Sequence, residues 1–229
     1  MRVFVLTSNA YTRLIPAFCD RWLKYWGRTI DVVHYDVAPD VPKIGNTFRL
    51  VQVGSQRELT WSAGLRRYLE QVSDELVVLF LDDYWLDRPV EASVVVQLEE
   101  LMYTFLNFVK FDLTDDRLRF PHESMLFGRL PAVAAQPNAP FLGSYQAAIW
   151  RRHKLLSYLR DDEDAWQSER NVSDRMVREG APVFGLANPP VSYSQATKAG
   201  KPDLLRTDRF SPTELSELAE RGLLVSWGM

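Results

Sequence analysis

A chain of 229 residues with 46% hydrophobic and 25% charged side chains can bury the core of one ordinary domain and is no disordered segment. Its net charge of −3 argues against a dedicated polyanion-binding protein. A single cysteine, Cys19, excludes an internal disulfide framework and a cysteine-rich zinc scaffold, and fits a cytoplasmic location.

Strand and helix signals alternate from the start. Val3 to Leu6 is a short β-branched run, read as a buried strand and too short for a signal segment. Ile15, Phe18, Cys19, Trp22 and Trp26 recur at helical spacing, with Pro16 near the first turn and Gly27 as the stop. Ile30 to Tyr35 reads as a second strand, and residues 38–49, with two prolines and Gly45, as a loop. Trp61, Leu65, Tyr68, Leu69 and Val72 mark a helix. Leu76 to Leu81 is apolar at every position, which predicts a central strand covered on both faces, and it is too short to span a membrane. It stops at Asp82-Asp83-Tyr84.

After Pro89 the spacing of Val94, Leu98, Leu101, Met102 and Phe105 predicts a long helix. Residues 109–140 offer two short strands, Val109 to Leu113 and Leu118 to Phe120, and a proline-rich loop. Phe141 to Trp150 reads as extended and Arg151 to Leu159 as helical. Asp164 to Glu179 is a helix closed by Gly180, and Pro182 to Leu186 a last strand. Ser211-Pro212-Thr213-Glu214 is a capping box opening a final helix that Gly222 closes. The pattern is an α/β fold: a Rossmann-type mixed sheet flanked by helices, with a smaller lobe from the second half. One domain over 1–229 is expected, divided into halves at 1–110 and 111–229.

In open α/β sheets ligands sit beyond the carboxyl ends of the strands. That rule selects Thr7 to Arg13 and Asp82 to Tyr84. Asp82 and Asp83 supply the carboxylate oxygens that Mg²⁺ or Mn²⁺ prefers, and such an ion can clamp a diphosphate. Their plainer role is to cap a turn. On an extended backbone adjacent side chains point to opposite sides, so one of the pair is expected to face the metal. Thr7, Ser8 and Asn9, with Tyr11 and Arg13, form a polar loop able to hold a nucleotide base, or a plain turn. No G-x-G-x-x-G or G-x-x-x-x-G-K-[ST] run is present, which argues against dinucleotide and P-loop chemistry.

Glu169 shares a broadly apolar helix face with Trp166, Val172 and Met176. It is either a desolvated general base or the partner of Arg151, Arg170 or Arg175. Lys198 and Lys201 flank Gly200 in a loop that can fold over a phosphate or simply be solvated. Trp61, Tyr84, Trp85 and Tyr145 lie at segment ends, where they can line a sugar or base site. His34, His122 and His153 have no metal-ligand spacing, and Cys19 reads as inert core.

With these residues in view, the chain resembles the GT-A-type glycosyltransferases, in particular small bacterial and phage members. The likeness rests on Leu79-Phe80-Leu81-Asp82-Asp83-Tyr84-Trp85, on Ser144 to Arg152, on Ala165-Trp166-Gln167-Ser168-Glu169, and on Val191-Ser192-Tyr193 leading to Gly200-Lys201. The resemblance implies a nucleotide-binding half and an acceptor-side half. It implies that Thr7, Ser8 and Asn9 border the nucleotide, where the residues themselves also offer Arg13 and Trp61, and that Asp82 and Asp83 occupy the metal-binding D-x-D. Tyr84 stands where the last Asp of that motif would be, and no histidine follows His153.

Glu169 would be the base that activates the acceptor, with Lys198 and Lys201 over the diphosphate. The implied reaction is inverting transfer from a nucleotide-sugar donor, with Mn²⁺ or Mg²⁺, to a hydroxyl of a glycan or small molecule. Alternatives are a non-catalytic nucleotide-sugar-binding relative and a nucleotidyltransferase. A modified DNA base as acceptor would need an arginine face built from Arg117, Arg119, Arg129, Arg151 and Arg152.

Overall fold

The computed structural model describes residues 1–198, 201–224 and 227. The chain opens with β1 (Arg2–Leu6), a short 3-10 turn (Thr12–Leu14), α1 (Ile15–Tyr25), β2 (Ile30–His34), β3 (Phe48–Gln52) and α2 (Trp61–Gln71). β4 (Leu76–Leu81), β5 (Tyr84–Leu86), α3 (Ala92–Thr104), β6 (Lys110–Asp112) and a 3-10 turn (Asp115–Arg119) follow. Then come β7 (His122–Phe127), β8 (Leu130–Ala135), β9 (Ala148–Arg151), α4 (Arg152–Tyr158), α5 (Ala165–Glu179) and β10 (Val183–Leu186). The last elements are β11 (Tyr193–Gln195), β12 (Thr197–Lys198), β13 (Lys201–Leu205), a 3-10 turn (Thr207–Arg209) and α6 (Pro212–Glu220).

Nine strands form one mixed sheet in the order β3-β2-β1-β4-β9-β6-β10-β8-β7. β1 pairs in parallel with β2 on one side and with β4 on the other, and β2 pairs in parallel with β3. β9 runs antiparallel between β4 and β6, so the second half of the chain extends the sheet begun by the first. Successive side chains on a strand face opposite sides. Val3, Val5, Val78 and Phe80 pack with Phe18, Trp22 and Leu98 in one core, whereas Phe4, Leu6, Val77 and Leu79 pack with Leu65, Leu155 and Val172 in the other. β4 is apolar throughout because both its faces are covered by helices. The chain reverses its direction across the sheet between β1 and β4, which makes their carboxyl ends the switch point of the fold.

Helix boundaries follow local chemistry. The Thr60 hydroxyl accepts from the Ala63 N–H at 3.1 Å to start α2. Asp164 and Gln167 form a capping box at the start of α5, and Gly180, at φ 66°, closes it.

Four local expectations are corrected. β3 begins inside the stretch read as loop; it is a half-exposed edge strand and lacks the apolar signature of β1 or β4. Leu118 to Phe120 is not a strand, since Asp115–Arg119 form a 3-10 turn. The stretch read as a proline-rich loop holds the β7–β8 hairpin, whose φ 60° glycine, Gly128, makes the turn. Of the extended segment 141–150, the strand is confined to its end, β9.

The proposed arginine face for DNA is dispersed. Arg117 is buried 3.7 Å from Asp112, and the buried Arg151 pairs with Glu75 and donates to the Met102 carbonyl at 2.6 Å. Arg152 is spent on the Asp74 and Leu69 carbonyls.

Candidate active site

A cavity of about 210 Å³ lies at the carboxyl ends of β1 and β4. Leu6 and Ser8 reach it from the β1 end, and Leu81, Asp82, Asp83 and Tyr84 from the β4 end. Trp61 enters from the start of α2, Tyr145 and Gln146 from the segment before β9, Ala165, Trp166 and Glu169 from α5, and Gln195 from β11. Tyr11 completes the wall.

Asp82 and Asp83 sit in the turn between β4 and β5 rather than on an extended strand. Both acids line the cavity, and they have different partners: Asp82 bonds Thr7 at the β1 end, and Asp83 bonds the β11–β12 segment. Both are buried. The Asp83 carboxylate accepts from the Thr197 hydroxyl at 2.9 Å and from the Gln195 side-chain amide at 3.3 Å, so the β11–β12 segment clasps it. The Ala196 N–H adds a 2.6 Å bond to the Asp83 carbonyl. Burial raises the pKa of Asp83, and burial together with the Asp83 charge raises that of Asp82 well above the usual carboxylate range. Tyr11 feels the same acids: burial, then the charges of Asp83 and Asp82, push its hydroxyl up to about 12.

Glu169 is half-buried on α5 and accepts the Tyr145 N–H at 3.1 Å. Burial raises its pKa, opposed by that hydrogen bond and by the charge of Lys110. Of the arginines read as alternative partners, Arg175 pairs with Glu163 and Arg151 with Glu75. The aromatic wall is built by Trp61, whose ring lies 4.8 Å from that of the buried Tyr145, and by Trp166, which is 67% exposed at the rim. The Tyr145 hydroxyl meets the Ser168 hydroxyl at 2.8 Å, tying this wall to α5.

The other sequence candidates stand apart from the cavity. Thr7 is fully buried beneath it and hydrogen bonds Asp82. Asn9 holds its own loop, donating to Asp36 at 3.1 Å and accepting the Val37 N–H. Arg13 pairs with Asp203. Lys198 and Lys201 are exposed cross-strand partners in the β12–β13 ribbon, and neither lines the cavity; Gly200 between them lies outside the described residues. Trp85 is core, packed on Phe210 and Trp227 rather than facing the site. Sequence reasoning placed Tyr11 in the polar loop after β1, where it does line the cavity, but missed Gln195. Gln195 becomes visible as a site residue once β11 is known to pair with β5.

Among the described residues no group of three or more His, Cys, Asp or Glu forms a complete cation cage. Mg²⁺ or Mn²⁺ needs one or two carboxylates when phosphate oxygens complete its shell. The Asp82–Asp83 pair suits that arrangement, because its buried charges lack a cationic partner among the described ion pairs and no Lys, Arg or His lines the cavity.

The fold is GT-A-like: a mixed α/β sheet flanked by helices, with the cavity at its switch point. The structure is similar to Staphylococcus aureus TarS 1-349 in complex with UDP-GlcNAc, at a TM-score of 0.54 and 11% identity, covering 99% of this chain and 66% of that one. A longer S. aureus TarS structure gives 0.53 at 12% identity, covering 98% and 39%. Apo UDP-glucose pyrophosphorylase gives 0.50 at 9% identity, covering 96% and 99%. The chain thus spans just under two thirds of the shorter TarS chain, and at these identities the likeness is one of fold. No family model and no curated protein matches the sequence. No helix among the described residues is long and apolar enough to cross a membrane.

Proposed function

We propose that the protein is a glycosyltransferase that moves a sugar from a nucleoside-diphosphate-sugar to a hydroxyl acceptor with inversion. The observation that supports this reading is the convergence of Asp82, Asp83 and Glu169 with two tryptophans in one cleft at the switch point of the sheet. In this reading the aromatic wall of Trp61 and Trp166 holds the base and sugar, with Ser8 on the β1 side. Asp82 and Asp83 hold Mn²⁺ or Mg²⁺; when bound, that ion neutralises charge on the departing diphosphate. Thr7 and Thr197 position the two acids. Lys198, next to Thr197 in the chain, offers with Lys201 an outer contact to phosphate.

Glu169 takes the proton of the acceptor hydroxyl. The acceptor oxygen forms a bond to the anomeric carbon from the face opposite the nucleotide. The bond from that carbon to the phosphate oxygen breaks, and the electron pair leaves with the diphosphate. The raised pKa of Glu169 fits a base that must hold the proton it accepts. The similarity to apo UDP-glucose pyrophosphorylase keeps a second reading, a nucleotidyltransferase, in view. Against that second reading, the chain has no Gly- and Lys-rich N-terminal phosphate loop of the kind a nucleotidyltransferase normally carries.

The test is to incubate purified protein with a panel of nucleotide-sugars, with Mn²⁺ or with EDTA, and to follow nucleoside diphosphate and pyrophosphate separately. Metal-dependent release of the diphosphate is expected. Pyrophosphate formation from a nucleoside triphosphate and a sugar phosphate would establish the second reading. Absence of turnover together with absence of donor binding would remove both.

A further inference from the structure

A second cavity, of about 430 Å³, adjoins the first. Tyr84, Gln146 and Gln195 line both, so the two share a wall. That wall is fixed by hydrogen bonds: the Tyr193 hydroxyl donates to the Gln146 side chain and accepts the Ala147 N–H at 3.1 Å.

The two cavities differ in charge. The first presents three carboxylates and no cationic side chain. On the second, Arg88, Arg119, Arg206 and Arg209 face Asp115 and Asp116. Four arginines face two lining aspartates, and with Asp208, which pairs with Arg206 and Arg209 beside the cavity, the excess is one positive charge. A phosphate monoester carries about −1.5 to −2 near neutral pH, and the arginine fork matches its oxygens.

The arginines are placed but not consumed. Arg119 pairs with Asp115 at 2.8 Å in an exposed i,i+4 contact, and Arg206 pairs with the exposed Asp208 at 3.0 Å. Exposed pairs of this kind exchange partners readily. Arg88 donates to the Pro189 carbonyl at 3.4 Å, a long bond, and makes no ion pair among the described residues.

Asp116 supplies the complementary observation. Its Oδ2 is buried and has no hydrogen-bond partner among the described residues. Asp116 lines the second cavity, so its carboxylate can accept a hydrogen bond from a ligand hydroxyl there. Asp116 also lies close enough to Glu169 for its charge to act on that carboxylate.

We propose that the second cavity is the acceptor subsite and that the acceptor is a polyhydroxyl compound bearing a phosphate group. The phosphate sits on Arg88 and Arg206, and a hydroxyl is held by Asp116 on the side that leads to Glu169. The assignment of the cavity to an acceptor rests on the glycosyltransferase reading; the binding of a sugar phosphate there does not.

Calorimetric titration of the full chain tests both separately. The probes are ribose 5-phosphate, ribose, inorganic phosphate, and UDP with Mn²⁺. The proteins are wild type, an Arg88→Gln/Arg206→Gln double variant, and Asp116→Ala, each checked for a native melting transition. Ribose 5-phosphate should bind wild type at least about tenfold tighter than ribose or inorganic phosphate, and the double variant should lose about ten- to a hundredfold of that affinity. Asp116→Ala should weaken ribose 5-phosphate and leave inorganic phosphate unchanged.

Equal binding of ribose and its phosphate, or an unaltered double variant, overturns the proposal. Inorganic phosphate binding as tightly as the ester removes the hydroxyl contact and overturns it too. UDP affinity falling in parallel with the ester in the double variant assigns the arginines to the donor and overturns the acceptor assignment. Failure of wild type to bind UDP, with ribose 5-phosphate still bound, overturns the glycosyltransferase reading and leaves a sugar-phosphate site.

Discussion

Glu169→Gln separates chemistry from folding. The Tyr145 N–H donates to Glu169 Oε1 at 3.1 Å, and the glutamine carbonyl oxygen can keep that bond. What is lost is the basic oxygen. A positioned general base contributes about 10²–10⁴ in rate, or roughly 2.7–5.5 kcal/mol of barrier, so kcat should fall by that factor with donor affinity nearly unchanged.

Stability should move the other way. Burial raises the folded-state pKa of Glu169 above its ordinary 4.5. Between those two values the native protein holds the proton more often than the unfolded chain does. Stability therefore declines as pH rises through that window, and the full penalty persists above it. Glutamine has no charge to desolvate. The variant should melt at or above the wild-type temperature at pH 7.5, and the difference should vanish below the ordinary glutamate range. The acid limb of the wild-type rate profile should lie above 4.5 and disappear in the variant. Transfer kinetics and thermal melts across pH measure both. Activity retained within about threefold, or an unchanged acid limb, would refute Glu169 as the base.

Three further substitutions probe the scaffold. Trp166→Ala removes a 67% exposed ring at the rim of the cavity; UDP binding should weaken by about 1–3 kcal/mol while the melting temperature stays put, as titration and thermal melts would show. Gly143→Ala places a Cβ 2.6 Å from Val172 Cγ1 and 2.7 Å from the Ser173 backbone nitrogen, so urea unfolding should show a loss of about 1–3 kcal/mol. Arg151→Ala strands the Met102 and Phe108 carbonyls and the Glu75 carboxylate; because Glu75 reaches water, the loss should fall near the lower end of about 3–5 kcal/mol in the same assay.

The legible part of the fold was the part whose physics is local. β4, and β1 from Val3 onward, announce themselves because both faces of each are covered, so those positions are apolar. α6 announces itself by its capping box and α5 by its closing Gly180. The β7–β8 hairpin and β3 escaped notice because they are edge elements with mixed exposure and carry no clean alternation. The chemistry-bearing residues followed the same rule. Asp82 and Asp83 stand out because charge follows a buried strand. Their partners, Thr7 for Asp82 and Thr197 for Asp83, come from segments distant in sequence. Asn9, Arg13 and the two lysines carry suitable chemistry in suitable segments, but their partners or exposure are set by contacts distant in sequence, such as Asp203 for Arg13. Gln195 and Asp116 become readable once β11 lies on β5 and the turn after β6 folds over the second cavity.

The most direct measurement is a crystal structure of the protein with UDP and Mn²⁺. The account predicts the ion against Asp82 or Asp83, the diphosphate beside it, and the nucleoside along Trp61 or Trp166, leaving Glu169 open toward the place of the sugar. A nucleotide seated elsewhere, with both aspartates untouched and the cavity between β1 and β4 empty, would contradict it.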